Sequence, residues 1–185
     1  GLGDVYKRQW YNGQAYLNTL DKKAVERFVE VTHERYKEVV GDEFDETVPA
    51  IFTDEPQFTR KTLMDNSTDT DDLIMPWTDD FAKTYLDTYS QDIMEFLPEI
   101  FWDLPDGKVS AARYRYHDHI AERFSSAFAD TVGGWCRENG IALTGHMMDE
   151  PTLESQTGAL GEAMRSYRSF GLPGIDMLCS WKEYT

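Results

Sequence analysis

The hexapeptide Ile51-Phe52-Thr53-Asp54-Glu55-Pro56 decides how the rest of the chain is read. A short apolar run that stops at two carboxylates and a proline has the form of a strand buried on both faces, as in parallel sheets. Such sheets gather their chemistry at the carboxyl ends of their strands, where Asp54 and Glu55 fall. Pro56 biases Glu55 toward extended backbone and ends the strand. A carboxylate held at such an edge can serve as the general acid that glycosidic bond cleavage needs. It can equally cap the element that follows.

Upstream, Asp21 is placed to cap a helix in which Val25, Phe28, Val29, Thr32, Tyr36 and Val39 recur at helical spacing, with Gly41 as the stop. Downstream, the polar, Asp-rich stretch 57–75 reads as a surface loop beside the strand end. Phe81, Tyr85, Tyr89 and Ile93 then fall in helical phase after Asp79. The longest helical pattern covers about 110–138, with Ile120, Phe124, Phe128, Val132, Trp135 and Cys136 as its apolar stripe. Gly133-Gly134 within it predicts a close helix-to-strand contact. Asn139-Gly140 ends this helix and opens a second strand over 141–145. A further helix over 158–170 stops at Gly171 and Pro173, and a third strand covers 174–178. Helix, strand, helices, strand, helix, strand is the rhythm of about three consecutive βα units in a parallel α/β sheet.

The chain has 185 residues, 41% hydrophobic and 14% aromatic, enough for one sizeable core. It is short of the ~250 residues of a closed (β/α)8 barrel. A net charge of −16 argues against a nucleic-acid backbone or an anionic membrane surface as partner. No apolar run approaches the ~18 residues needed to span a bilayer. Cys136 and Cys179 have no metal-ligand spacing and read as buried thiols. Residues 1–9 carry neither an initiator methionine nor a signal pattern and read as a non-native leader. That leaves 10–185 as a segment of a longer domain, with the remainder of its own barrel as an expected partner. The compartment is open.

The strand ends carry Thr53, Asp54 and Glu55, then His146 followed by Asp149 and Glu150, then Asp176. In a parallel sheet these share one edge, where carboxylates in unlike environments can divide acid and base roles. Tyr11 and Trp77, with Trp10 and Trp181, offer flat faces for sugars or for packing. His117-Asp118-His119 resembles a metal motif, yet residues two apart on a helix point away from each other. The acidic run from Asp65 to Asp72 makes calcium the one cofactor to consider. It lacks the central Gly and terminal Glu of an EF-hand loop, which favours a solvated loop. Gly158-Ala159-Leu160-Gly161 at the opening of a helix is weak evidence for an anion site. No metal ligand is assigned.

Tyr16-Leu17-Asn18-Thr19-Leu20, the helix from Phe28 to Tyr36, the opening hexapeptide, Leu143-Thr144-Gly145-His146 and Pro173-Gly174-Ile175-Asp176 occur in that order. Together they resemble bacterial glycoside hydrolases built on a (β/α)8 barrel, nearest the α-L-rhamnosidase-like proteins of family 106. More distant is the resemblance to clan A enzymes such as β-galactosidases. It covers nearly all of 10–185 but only a middle slice of such a barrel, so it implies a partial TIM barrel. In clan A an Asn-Glu pair, often followed by Pro, ends the fourth strand and supplies the acid/base, which Glu55 matches by position. Asp54 departs from that pattern, because a carboxylate cannot donate the amide hydrogen bond of Asn. The partner carboxylate of clan A lies on a late strand beyond this chain, and Glu150 is the candidate within it. Asp54, His146, Asp149, Asp176, Trp77 and Tyr11 are the implied substrate-binding residues. The expected activity is hydrolysis of O-glycosidic bonds in a carbohydrate. The alternatives are a non-catalytic carbohydrate-binding protein on a degenerate barrel, and a metal-dependent hydrolase using His146 and the carboxylates.

Overall fold

Three short parallel strands, β1 (Ala50–Asp54), β2 (Ala142–His146) and β3 (Leu172–Pro173), lie side by side in chain order. The structure is a computed structural model that describes residues 15–61, 64 and 68–177. Between and before the strands run the helices α1 (Lys22–Val40), α2 (Phe81–Tyr89), α3 (Leu97–Phe101), α4 (Ala111–Phe124), α5 (Asp130–Glu138), α6 (Leu153–Ala159) and α7 (Ala163–Tyr167). The architecture is α/β, with a small parallel sheet among many helices.

Asp21 caps α1 by accepting the Lys23 N–H at 2.9 Å. The buried face of α1 is Val25, Val29 and His33, whereas Tyr36 and Val39 are exposed. The expected stripe therefore fails in its second half. His33 meets the Trp135 ring of α5 edge-on at 5.2 Å, and the Trp135 indole N–H bonds Glu34 at 2.6 Å. α2 ends at Ser90 in left-handed backbone, and Ile93 keeps its buried place in a following 3-10 turn.

The long helical pattern forms as α4, a π-helical turn over Ser125–Ala129, and α5. Its stripe of Ile120, Phe124, Phe128, Val132, Trp135 and Cys136 is buried in the core. Burial also pushes the Cys136 thiol up to about 11. Gly133 does mark a close approach, but to the backbone of Ser169 in the turn before β3 and not to a strand. A Cβ there would collide with the Ser169 carbonyl.

Three expectations shift. The single helix over 158–170 is two helices, α6 and α7. They break around Gly161, whose φ of 88° leaves the helical region and whose α-carbon lies against Ala121 of α4. The third strand lies earlier than 174–178: Thr144 pairs with Leu172 and Gly145 with Pro173. Gly171 and Gly174 flank that pair, bonding Leu143 O at 2.9 Å and Gly145 O at 2.8 Å. Third, β1 is not buried on both faces. Ile51 packs against the core and its partner Leu143 is buried in it, while Phe52 is 60% exposed.

In the segment after β1, the described residues of 57–75 form neither helix nor strand. Phe58 is nevertheless buried, tied through its N–H to Ala159 O at 2.9 Å. Among the described residues no helix is long and apolar enough to cross a membrane.

Candidate functional site at the carboxyl edge of the sheet

Parallel pairing runs in register from Ala50↔Ala142 to Asp54↔His146, so the last side chains of β1 and β2 fall together. The approach is made possible by Gly145, whose φ is 134° and where a Cβ would strike the Thr53 backbone. His146 Nε2 lies 3.3 Å from Asp54 Oδ1. The His146 side chain is 15% exposed and that of Asp54 76%. The Nδ1 of His146 is buried with no hydrogen-bond partner among the described residues. Phe52 meets the same ring edge-on at 5.6 Å.

Glu55 extends the ladder by donating its N–H to His146 O at 3.2 Å. Its φ is 47°, in the left-handed region, and not the extended backbone that Pro56 predicts. Neighbours must hold a non-glycine residue there, at a cost of about 1–3 kcal/mol, and such strain is found where a side chain has to be aimed. One ligating atom from each of Glu55, His146 and Asp176 lies within 4.8 Å of the other two, and all three residues are half-buried. Two carboxylates and an imidazole at this spacing are chemically fit for an acid/base pair or for a divalent cation with oxygen and nitrogen ligands.

The remaining predicted residues divide. Glu150 is engaged at both oxygens: Oε1 accepts the Asp176 N–H at 2.5 Å and Oε2 accepts the Tyr167 hydroxyl at 2.6 Å. Burial, and then this bond to Glu150, raise the Tyr167 phenol above its ordinary range. Asp149 has a φ of 51° and forms an ion pair with Arg60, while its carbonyl accepts the Ser155 hydroxyl. Trp77 stands apart from the cluster, packed on Phe81 with ring centroids 4.6 Å apart. It borders a cleft of about 250 Å3 shared with Tyr16, Phe58 and Pro76. Tyr11, Trp10, Trp181 and Cys179 lie outside the described residues, as do 65–67 of the acidic run. Asp71 and Asp72 of that run are exposed. Gly158 lies in the last turn of α6 and Gly161 in the break between α6 and α7, so the glycine pair spans the end of one helix and does not open a single long one.

His117, Asp118 and His119 diverge on α4. His119 bonds Thr84 through Nε2 at 2.9 Å, Asp118 takes the Tyr89 hydroxyl at 2.6 Å and Arg165 at 3.0 Å, and His117 sits among Lys61 and Arg113. Burial, with those two cations, pushes His117 down to about 4. Burial also pushes Lys61 down to about 8, and Arg113 adds to it. The roomiest groove among those described, about 770 Å3, opens here and not at the sheet edge. Its lining groups Asp118, His119 and Arg165 are already matched to partners, so volume alone does not locate the chemistry.

Sequence reasoning did not find Tyr167 or Arg60, because nothing local marks a residue whose partner comes from another loop. Gly145 did carry a signal, since a glycine inside a strand marks a close backbone approach. No protein-family model, curated protein or solved structure matches the chain.

Proposed function

We propose that the chain is part of a glycoside hydrolase domain and that the carboxyl edge of its sheet is the catalytic edge of a (β/α)8 barrel. The observation that carries this reading is the convergence of Glu55 and Asp176 with His146, the last residue of the middle strand, at the ends of parallel strands. The sheet supports the barrel reading as well. Helices pack on the face of Ile51 and Leu143, while Phe52, Asp54, Thr144, His146 and Leu172 share the other. That other face is the one a closed barrel turns inward.

In this reading Glu55 is the general acid that protonates the leaving glycosidic oxygen as the anomeric carbon–oxygen bond breaks. Asp176 is the second carboxylate. Its approach to Glu55, within 4.8 Å at the nearest oxygens, belongs with the short carboxylate spacing (about 5–5.5 Å) of retaining enzymes. The Asp176 carboxylate then attacks the anomeric carbon to give a glycosyl ester. Water, losing its proton to Glu55, displaces Asp176 in the second step. Asp54 and His146 hold sugar hydroxyls at the rim.

The test is turnover of a panel of aryl glycosides by the complete domain and its Glu55→Gln variant, with the first-formed anomer followed by NMR. Hydrolysis with retention, lost in the variant, supports the reading. Binding of a sugar with no turnover turns it toward the non-catalytic alternative. A second reading is favoured by the same donor set: Glu55, His146 and Asp176 are fit to hold a divalent cation that polarises the substrate. Turnover abolished by a chelator and restored by calcium or manganese would select it.

A further inference from the structure

We infer that Glu150 is a positioning residue, a buckle between the loops after β2 and β3 that sets Asp176 against Glu55 and His146. This rests on the catalytic assignment of Asp176 proposed above. β3 has only two residues, and its ladder with β2 ends where Gly174 N–H meets Gly145 O at 2.8 Å. Asp176 lies two residues past that last rung. There its backbone is held by Glu150, whose Oε1 accepts the Asp176 N–H at 2.5 Å. A bond from a carboxylate to a backbone N–H is charge-assisted and correspondingly short.

The other oxygen of Glu150 is fixed as firmly. Tyr167 at the end of α7 donates its hydroxyl to Oε2 at 2.6 Å, and the same hydroxyl oxygen lies 2.9 Å from Gly174 O. One phenol proton faces two acceptors, and the carboxylate is the stronger. The backbone of Glu150 is anchored in turn, its carbonyl accepting the Gln156 amide at 2.7 Å. Gln156 Oε1 accepts the Ala163 N–H at 3.0 Å, which ties α6 to the start of α7. Both carboxylate oxygens of Glu150 are thus spent on protein donors, and what they fix is the residue whose side chain joins the reacting cluster.

Glutamine fits this role and aspartate or alanine does not. In Glu150→Gln the amide oxygen still accepts from Asp176 N–H. The amide NH2 donates to the Tyr167 oxygen, which frees the phenol proton for Gly174 O. A residue that itself gives or takes a proton, or attacks the sugar, has no such tolerance.

The experiment measures kcat, KM and the pH profile of the full chain with Glu150→Gln, Glu150→Ala and Tyr167→Phe, together with the Asp176 amide resonance in a 15N-labelled sample of each. Expected is a loss in kcat under about tenfold for Glu150→Gln with both limbs of the pH profile kept. Glu150→Ala should lose about 10²-fold in kcat at similar KM, the scale of a misplaced catalytic group. Tyr167→Phe should fall between the two. The Asp176 amide proton, downfield in the parent, should stay so in Glu150→Gln and move upfield in Glu150→Ala. Should Glu150→Ala fail to fold, Glu150→Gln and Tyr167→Phe still decide. Glu150→Gln that is dead, or that loses one limb of the pH profile, makes Glu150 a reacting group and overturns the inference. An Asp176 amide unmoved in Glu150→Ala overturns it too. An amide that moves as expected in a chain with no turnover on any glycoside upholds the buckle and rejects the hydrolase reading.

Discussion

Two regions of this molecule use the same residue types to different ends. On α4 and its neighbours, His119, Asp118, Arg165, Thr84 and Tyr89 form a network in which each polar group has a partner at 2.6–3.0 Å. Aromatic rings enclose it, Phe81 and Tyr89 lying edge-on to His119 at 5.0 and 5.8 Å. At the sheet edge, His146 has a buried Nδ1 without a hydrogen-bond partner among the described residues, and Glu55 and Asp176 converge near the ring. A polar cluster whose donors and acceptors are matched internally stabilises the fold and has nothing left for a ligand. A buried ring nitrogen left unmatched, beside a residue held at positive φ, is costly unless something binds there.

The comparison breaks most sharply on paired substitutions. Glu55→Gln is expected to lower kcat by about 10²–10⁴-fold while leaving thermal unfolding nearly unmoved. Asp118→Asn should do the reverse, costing about 1–3 kcal/mol of stability with kcat within a few-fold of the parent. If both variants lose activity in proportion to stability, the division between the regions is wrong. Gly145→Ala comes next. Its Cβ would meet backbone and its φ of 134° is foreign to alanine, so a loss of about 3–5 kcal/mol is expected in denaturant melts.

The helical region should also show itself through pH. Burial pushes His117 down to about 4 and lowers His119. In the unfolded chain these rings protonate near 6.5, so the unfolded state binds more protons as pH falls below that value. Their contribution is therefore intact above about pH 6.5 and is lost progressively toward pH 4. His117 accounts for at most about 3 kcal/mol of that loss. His117→Gln should flatten the dependence in that window. The smallest effect belongs to the rim: Arg60→Ala removes an exposed ion pair with Asp149 and should cost no more than about 1 kcal/mol.

Much of this was legible in the residues. Periodicity placed α1, α2, the long α4–α5 helix and the two longer strands, because burial of one face is a local property written every three to four residues. The edge position of Asp54, Glu55 and His146 followed from strand ends in a parallel sheet. What periodicity cannot carry is register and contact between distant segments. The shift of β3 to Leu172–Pro173, the break at Gly161 against Ala121 and the burial of His33 were decided by packing.

The sequence by itself determined the element types, the α/β rhythm and which polar residues end the strands, since each depends on neighbours along the chain. Only the tertiary structure brought Asp176 together with Glu55 and His146. It also showed that Glu150 spends both oxygens on Asp176 and Tyr167. The physical reason is that a carboxylate's role depends on which donors reach its two oxygens. Those donors arrive from segments 17 and 26 residues away, at distances no spacing rule encodes.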